Sequence, residues 1–509
     1  EIPMIDKKMK TTEIDTDRFL KGIQKIFKHF DSKNLPQKPL SKENWGELLK
    51  SGVCLPAIPK QYGGRESHKE TCEIIEMLSE YNLPLGMYTM IVTVLFLRNV
   101  SLSGTQQVQD EVFGDFLQNP VIGGLAFTEP TCGSNLARME TTYIEENEGY
   151  RLRGMKHWQA FSAHADWWII CAKNPNKKEF SYFVHKKSDG GFVTKEIYES
   201  LGLKNLGYGL NDINVFVPSY RRLCKYRDNL GDAAEILCAS RFSKAAMSSG
   251  FLRRLLIEAK SHAKGRNIGK GTLYDIDYVK YKISTIKGNY IICNSLYHHL
   301  LLNEDYRDDI NKSMFASLAT KVLSTELMLE SAIDYQQLCG GDGYRIGAKN
   351  NIAAYALLDS RVYTLFDGNN DLLCQHLASI VKHEMIENGF KSFYEFSKND
   401  TYMKQFLTYL PTLEGSIGDN IEGYSQAEMV VFGRILSRIY GISRLVERAG
   451  RLADMPGAGL VNRPSQNNTS YNEQDIEFSV KLLIFNIKSL TDQFCMINTS
   501  TSWPIPRYY

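Results

Sequence analysis

Apolar spacing changes character twice along this chain, and that alone narrows the folds open to it. From about Thr16 to Asn119 apolar residues recur at helical intervals, as in Ile74, Ile75, Met77 and Leu78, with breaks at Pro56, Pro59 and Gly63-Gly64. Between Val121 and Val217 they fall into short or alternating runs, Trp167 to Ala172, Ser181 to His185 and Asp212 to Val217, separated by Gly, Asn and Lys. That is a β region. Helical spacing returns after Asp232: Phe251, Leu255, Ala259 and Ala263 form one stripe with Leu252 and Leu256 beside it, and a second long helix is expected from about Ala316 to Gln337.

A chain of 509 residues exceeds what one core usually accommodates. The expected units are a helical domain over 1–120, a β domain over 121–232, a helical bundle over 233–386 and a further helical segment over 387–509. In the last, Val431, Ile435, Ile439, Ile442 and Val446 mark one amphipathic helix and Phe478, Leu482, Phe485 and Leu490 another, with a loop from Asp454 to Ser470 between them.

Charge and cysteine content exclude several functions. Lys plus Arg number 60 against 58 for Asp plus Glu, so no basic excess points to nucleic acid. Ten cysteines lie without any C-x-x-C pair, which predicts reduced thiols in a cytoplasmic protein and neither a metal site nor a disulfide scaffold. The first ten residues are charged and unlike a signal peptide. The apolar runs Met90 to Leu97 and Val480 to Ile487 fall short of the ~20 residues a membrane span needs, so no transmembrane segment is expected.

Specific motifs carry the function. Leu125-Ala-Phe-Thr-Glu-Pro-Thr-Cys-Gly-Ser134 turns at Pro and Gly, and Gly154-Met-Lys-His-Trp158 is followed by Ala165-Asp-Trp-Trp-Ile-Ile170. Further on come Gln337-Leu-Cys-Gly-Gly-Asp-Gly-Tyr344 at a helix end and the run Tyr363-Thr-Leu-Phe-Asp-Gly-Asn-Asn-Asp371. Together with Pro59-Lys-Gln-Tyr-Gly-Gly64, these resemble the acyl-CoA dehydrogenase superfamily of flavoenzymes. The resemblance implies a mainly α fold with a central β-barrel: an N-terminal helical lobe, the β domain, a four-helix bundle and the C-terminal helical extension of longer members.

The resemblance also implies FAD as cofactor. It assigns Phe127, Thr128 and Ser134 to the flavin edge, Trp158 to its ring face with Gln159 and Ala160 beside it, and Arg266 to its pyrophosphate. Gln337, Gly340 and Gly341 would meet the flavin of a neighbouring subunit, and Asn369 and Asp371 complete the cofactor set. Ala160 stands where the family usually has a hydroxyl close to the reactive flavin nitrogen, and only Gln159 or Ser162 is near enough in sequence to take its place.

Asp367 occupies the place of the family's catalytic glutamate, and Ser134, Ser240, Arg241 and Gly368 are the substrate-binding positions. Asp-Gly-Asn-Asn is equally good helix-capping chemistry, so Asp367 is either the base or a cap. Arg361 either orients it or is simply solvated. The implied activity is α,β-dehydrogenation of an acyl thioester on CoA or a carrier protein. The implied partners are an electron-transfer flavoprotein and a second copy of the chain, a dimer. A flavin oxidase or monooxygenase of the same fold, or a scaffold without turnover, are the alternatives.

Overall fold

The stripe through Phe251, Leu255, Ala259 and Ala263 is fully buried because helices cover it from several sides. The structure, a computed structural model, describes residues 4–30, 40–133, 135–177, 179–224, 230–308, 310–409, 417–453 and 470–499. Its amino-terminal lobe consists of α1 (Met4–Phe27), α2 (Lys42–Ser51), α3 (His68–Tyr81), α4 (Leu83–Met90), α5 (Arg98–Ser103) and α6 (Gln106–Gln118). A π-helical segment, Ile91–Leu97, joins α4 to α5. The whole run Leu83–Ser103 is long and apolar enough to cross a membrane, but it is mostly buried inside the protein, as a core helix is.

Seven strands follow: β1 (Gly123–Ala126), β2 (Thr142–Glu146), β3 (Gly149–Gln159), β4 (Trp167–Lys173), β5 (Phe180–Lys186), β6 (Phe192–Ile197) and β7 (Gly209–Pro218). They form one sheet in the order β1-β4-β2-β3-β7-β6, with β5 also on β4, curled into a half-barrel. β4 pairs with β1, β2 and β5. Its residues Trp167 through Ala172 are all buried, which is why this run reads as continuously apolar, whereas β7 alternates buried and half-buried residues.

The bundle is α7 (Leu230–Gly265), α8 (Asp277–Asn303) and α9 (Met314–Cys339), then α10 (Ala353–Arg361) and α11 (Asn370–Glu387). Buried ion pairs lock the lobe to α7: Arg253 holds Glu76 and Glu80, and Arg98 holds Glu235. All ten cysteines are free thiols, eight of them buried.

The C-terminal segment packs onto the bundle. It comprises α12 (Phe393–Asn399), α13 (Gln426–Ala453) and α14 (Glu473–Thr499), with α13 lying against α8, α9 and α11. Val431, Ile435, Ile439 and Ile442 are buried there as their spacing predicts. On α14 the expected stripe is corrected. The buried line is Ile476, Val480, Leu483, Ile487 and Phe494, while Phe485 is 69% exposed. Two apolar stripes run along this helix: this line is the buried one, while Phe478, Leu482 and Leu490 are half-buried, Phe478 and Leu482 lying against Gly288 of α8. Of the expected loop from Asp454 to Ser470, residues 454–469 lie outside the described residues.

Candidate active site

Between α10 and α11 the chain makes a turn through two successive left-handed residues, Asp367 at φ +58° and Gly368 at φ +90°. Asp tolerates this conformation better than most side chains do. Gly368 is required twice over, because a Cβ there would also lie 2.7 Å from Leu373 Cδ2. Asn369 is the N-cap of α11, its side chain accepting from the Leu372 amide. The capping role open to Asp367 is therefore filled by its neighbour.

Asp367 instead turns into the bundle. Its Oδ2 accepts from Ser240 Oγ at 2.6 Å and pairs with Lys244 Nζ at 2.9 Å, while Arg241 donates through Nε and Nη2 to its backbone oxygen. Ser240 and Lys244 are one helical turn apart on α7 and so share a face. Lys321 of α9 completes the clamp, donating to the Gly368 carbonyl at 2.8 Å and to Asn370 Oδ1 at 2.6 Å. Burial pushes the Asp367 carboxyl up, yet Lys244, Ser240 and Lys321 together outweigh it and hold the group below the usual carboxylate range. Burial also pushes the Lys321 ammonium down to about 7, against the opposing pull of Asp367.

In front of Asp367 lies a cavity of about 630 Å³. Met87 and Met90 of α4 and Ile91 and Leu95 of the π-helical segment form its apolar wall. Trp158 stands at its edge, 51% exposed, on a residue at φ +61° where the register of β3 against β7 shifts. A bulge of this kind re-aims a side chain. Trp158 is thus not sheet core; its ring meets Tyr198 and Tyr208 at 4.7 and 6.0 Å between centroids.

Most of the positions expected to form a site converge here: Phe127, Thr128, Trp158, Gln159, Ala160, Arg241, Asp367 and Gly368 all line this cavity. The Thr128 turn is held from below by a fully buried pair, Lys156 with Glu129, whose carboxylate also accepts from the Glu140 and Thr141 amides. Gln159 does not replace the hydroxyl missing at Ala160. Its Nε2 donates to the Thr128 and His157 carbonyls and its Oε1 accepts from Asn211, while Ser162 donates to the Gln159 carbonyl. Both side chains are committed to the sheet.

Other positions stand apart. Ser240 sits behind Asp367, outside the cavity lining, and Asn369 and Asp371 do not line it either. Asp371 is 73% exposed and pairs with Arg434 of α13 at 2.7 Å. Arg361 bonds Thr364 at 2.6 Å and not Asp367. Ser134 lies outside the described residues.

A second cavity of about 550 Å³ is lined by Arg266, His262 and Gly341. Gly340, at φ +63°, caps α9 through its amide, and a Cβ there would come within 3.5 Å of Arg266 Nη1. Gln337 is exposed on the last turn of that helix. The spacing of Arg266 and the Gly-Gly pair is thus realised as one surface.

Lys244 and Lys321 are the residues that sequence reading missed. Lys244 lies 123 positions from Asp367, and no local pattern links them. The available signal was its setting, a lone Lys among Ser243, Ala245, Ala246 and Met247, a stretch too apolar and small for a solvated face.

Two family descriptions match in succession: the acyl-CoA dehydrogenase middle domain over residues 124–213 and its C-terminal domain over 230–382. The human mitochondrial very long-chain specific acyl-CoA dehydrogenase is 22% identical over 378 residues, 70% of this chain and 56% of that protein. This chain thus spans about half the length of that relative. An L-prolyl-[peptidyl-carrier protein] dehydrogenase from Serratia sp. is 25% identical over 351 residues, 66% of this chain and 88% of its own. Among solved structures, an acyl-CoA dehydrogenase complexed with FAD from Bacillus anthracis superposes with a TM-score of 0.76 at 17% identity, over 96% of this chain and 88% of its own. The strand half-barrel falls within the first matched domain and the clamped Asp367 turn within the second, and on both counts the chain belongs to the acyl-CoA dehydrogenase superfamily.

Proposed function

We propose that this protein binds FAD and introduces an α,β double bond into an acyl thioester, with Asp367 as the base. The observation that carries this reading is the Asp367 carboxylate, paired with Lys244 and Ser240, on the same apolar cavity as a half-exposed Trp158. FAD, when bound, supplies the acceptor for the hydride that leaves the β carbon.

The residues fit such a cofactor. Trp158 lines the cavity with Phe127, Thr128, Gln159 and Ala160 beside it. Arg266 would hold the anionic end, and Gly340 and Gly341 would meet that of a neighbouring subunit's flavin, since the bare Gly340 leaves open the space a Cβ would occupy beside the guanidinium. Removal of the Trp158 ring by Trp158→Ala should weaken flavin retention, read by absorbance after dialysis; unchanged affinity would move the flavin elsewhere.

In the reaction, the carboxylate of Asp367 takes the α-proton, and the thioester loses that proton and a β-hydride to become the enoyl thioester. Met87, Met90, Ile91 and Leu95 present hydrocarbon to the acyl group and exclude water. CoA and the phosphopantetheine arm of a carrier protein offer the same thioester, and both are candidate carriers. An electron-transfer flavoprotein is the acceptor we assign, and the free thiols support a reducing, cytoplasmic setting.

The assembly is at least a dimer in this reading. Gln337, Gly340 and Gly341 would meet the flavin of a second copy, and Tyr344 and Ile346, 84% and 56% exposed, follow them in the chain. Light scattering of the flavin-loaded protein tests this, and a monomer would defeat it.

An anaerobic screen of acyl thioesters on CoA and on a carrier protein tests the function itself. Bleaching of the flavin is expected with at least one of them. Rapid peroxide formation in air would assign the protein to the oxidases instead. A protein unable to take up FAD would overturn the proposal.

A further inference from the structure

The three protons of the Lys244 ammonium have three acceptors: the Ser240 carbonyl at 3.1 Å, Ser240 Oγ at 3.1 Å and Asp367 Oδ2 at 2.9 Å. Ser240 Oγ in turn donates to the same Oδ2. Lys244 is fully buried, and the Phe366 ring lies 4.9 Å from its Nζ, measured to the centroid. Both contacts to the carboxylate thus converge on one oxygen. Among the described residues no hydrogen bond engages the other, Oδ1, and Asp367 lines the cavity.

We propose that Lys244 is the positioning residue of this site: as counter-ion to Oδ2 it fixes the carboxylate so that Oδ1 is the atom offered to substrate. The inference rests on the reading of Asp367 as the base. An ammonium in this place also holds the group ionised in a site where burial would otherwise protonate it. A mobile aspartate, a methylene shorter than the family's glutamate, would sample several rotamers. One pinned by two donors from a rigid helix samples one, and alignment of base and proton is what the shorter side chain most needs.

The other groups facing Asp367 bound the effect. Arg241 lies beside it on α7 and Lys321 approaches from α9. Tyr208 and Tyr363 lie within electrostatic range of it, with Asp359 of α10 within range of both tyrosines and His376 of α11 on the cavity wall. Arg241 and Lys321 are retained when Lys244 is changed, so the field at Asp367 is weakened rather than reversed.

The test compares the parent with Lys244→Met, Lys244→Gln and Lys244→Arg in the FAD-loaded protein. Two quantities are followed against pH: the rate of anaerobic flavin reduction, and the infrared carbonyl band of a protonated carboxylic acid that Asp367→Asn removes. In the parent, band and acid limb should lie at or below the ordinary carboxylate range. In Lys244→Met both should move up by about 1–3 pH units. Lys244→Gln keeps a donor to Oδ2 and should show the same upward shift, which keeps the test alive if the Met variant does not fold. Lys244→Arg, retaining charge, should stay near the parent.

A parent band titrating above pH 6, or neutral variants titrating with the parent, would overturn the role of Lys244. The infrared measurement needs no substrate, so it judges Lys244 whatever the enzyme oxidises. If the band shifts as stated while no thioester reduces the flavin, Lys244 still governs the Asp367 carboxylate and it is the dehydrogenase reading that fails.

Discussion

Asp367→Asn is expected to slow flavin reduction by an active thioester by about 100-fold or more while FAD remains bound. Asn369, not Asp367, caps α11, so the helix start survives the substitution. Stability will not be unaffected, because the change removes the counter-ion of Lys244, a fully buried ammonium. Breaking one side of a buried pair costs about 3–5 kcal/mol. The low end applies here, since the Asn oxygen still accepts from Lys244 and Ser240, and a buried lysine can lose its proton.

A double variant, Asp367→Asn with Lys244→Met, separates the two effects. It should recover much of the stability in urea titration and none of the rate in anaerobic single-turnover mixing. An Asn variant that reduces its flavin at the parent rate would exclude Asp367 as the base.

Glu326→Gln is the second substitution with a large expected effect, this time on stability. Glu326 of α9 pairs with Arg434 through Oε1 at 3.0 Å and with Arg438 through Oε2 at 2.6 Å, both from α13. Arg438 is 4% exposed and has no other carboxylate partner among the described salt bridges. Neutralising Glu326 leaves that guanidinium without its ion-pair partner, with Glu330 of α9 the remaining acid near it, and should destabilise the fold by about 3–5 kcal/mol. Asp371→Asn is the control. It removes the exposed partner of Arg434 and should cost under about 1 kcal/mol. Urea unfolding of both variants reads the contrast, and equal destabilisation would mean that Glu326 does not anchor α13.

The same interactions tie the C-terminal helices to the Asp367 turn. Asn370 donates to Glu326 Oε1 and accepts from Lys321, which also holds the Gly368 carbonyl. The segment expected to be an appendage is therefore wired to the loop that carries Asp367. Weakening α13 should loosen that loop as well as the bundle.

Where a signal is local, the sequence carried it. The stripe Phe251 to Ala263 and the helix near 316–337 follow from spacing of 3.6 residues, and the structure places them within two residues of expectation at the ends of α9. The continuous apolar run at Trp167 announced a strand covered on both faces. The motifs at Thr128, Trp158 and Asp367 announced a site because their residue types and order are specific.

Where a choice lay between equally apolar or equally polar options, only the tertiary structure decided. On α14 two stripes were open, and the covering helices chose Val480, Leu483 and Ile487 over Phe485. Gln159 and Ser162 were free to reach a flavin until Asn211 and neighbouring carbonyls engaged them. Asp371 was read with the cofactor set until Arg434 drew it outward. The partner of Asp367 is the largest such case. The family resemblance pointed to Asp367, but a pairing between residues 123 apart leaves no periodicity and no motif. Only the docking of α7 and α9 against the turn sets an ammonium on one oxygen of that carboxylate and a second lysine on the Gly368 carbonyl.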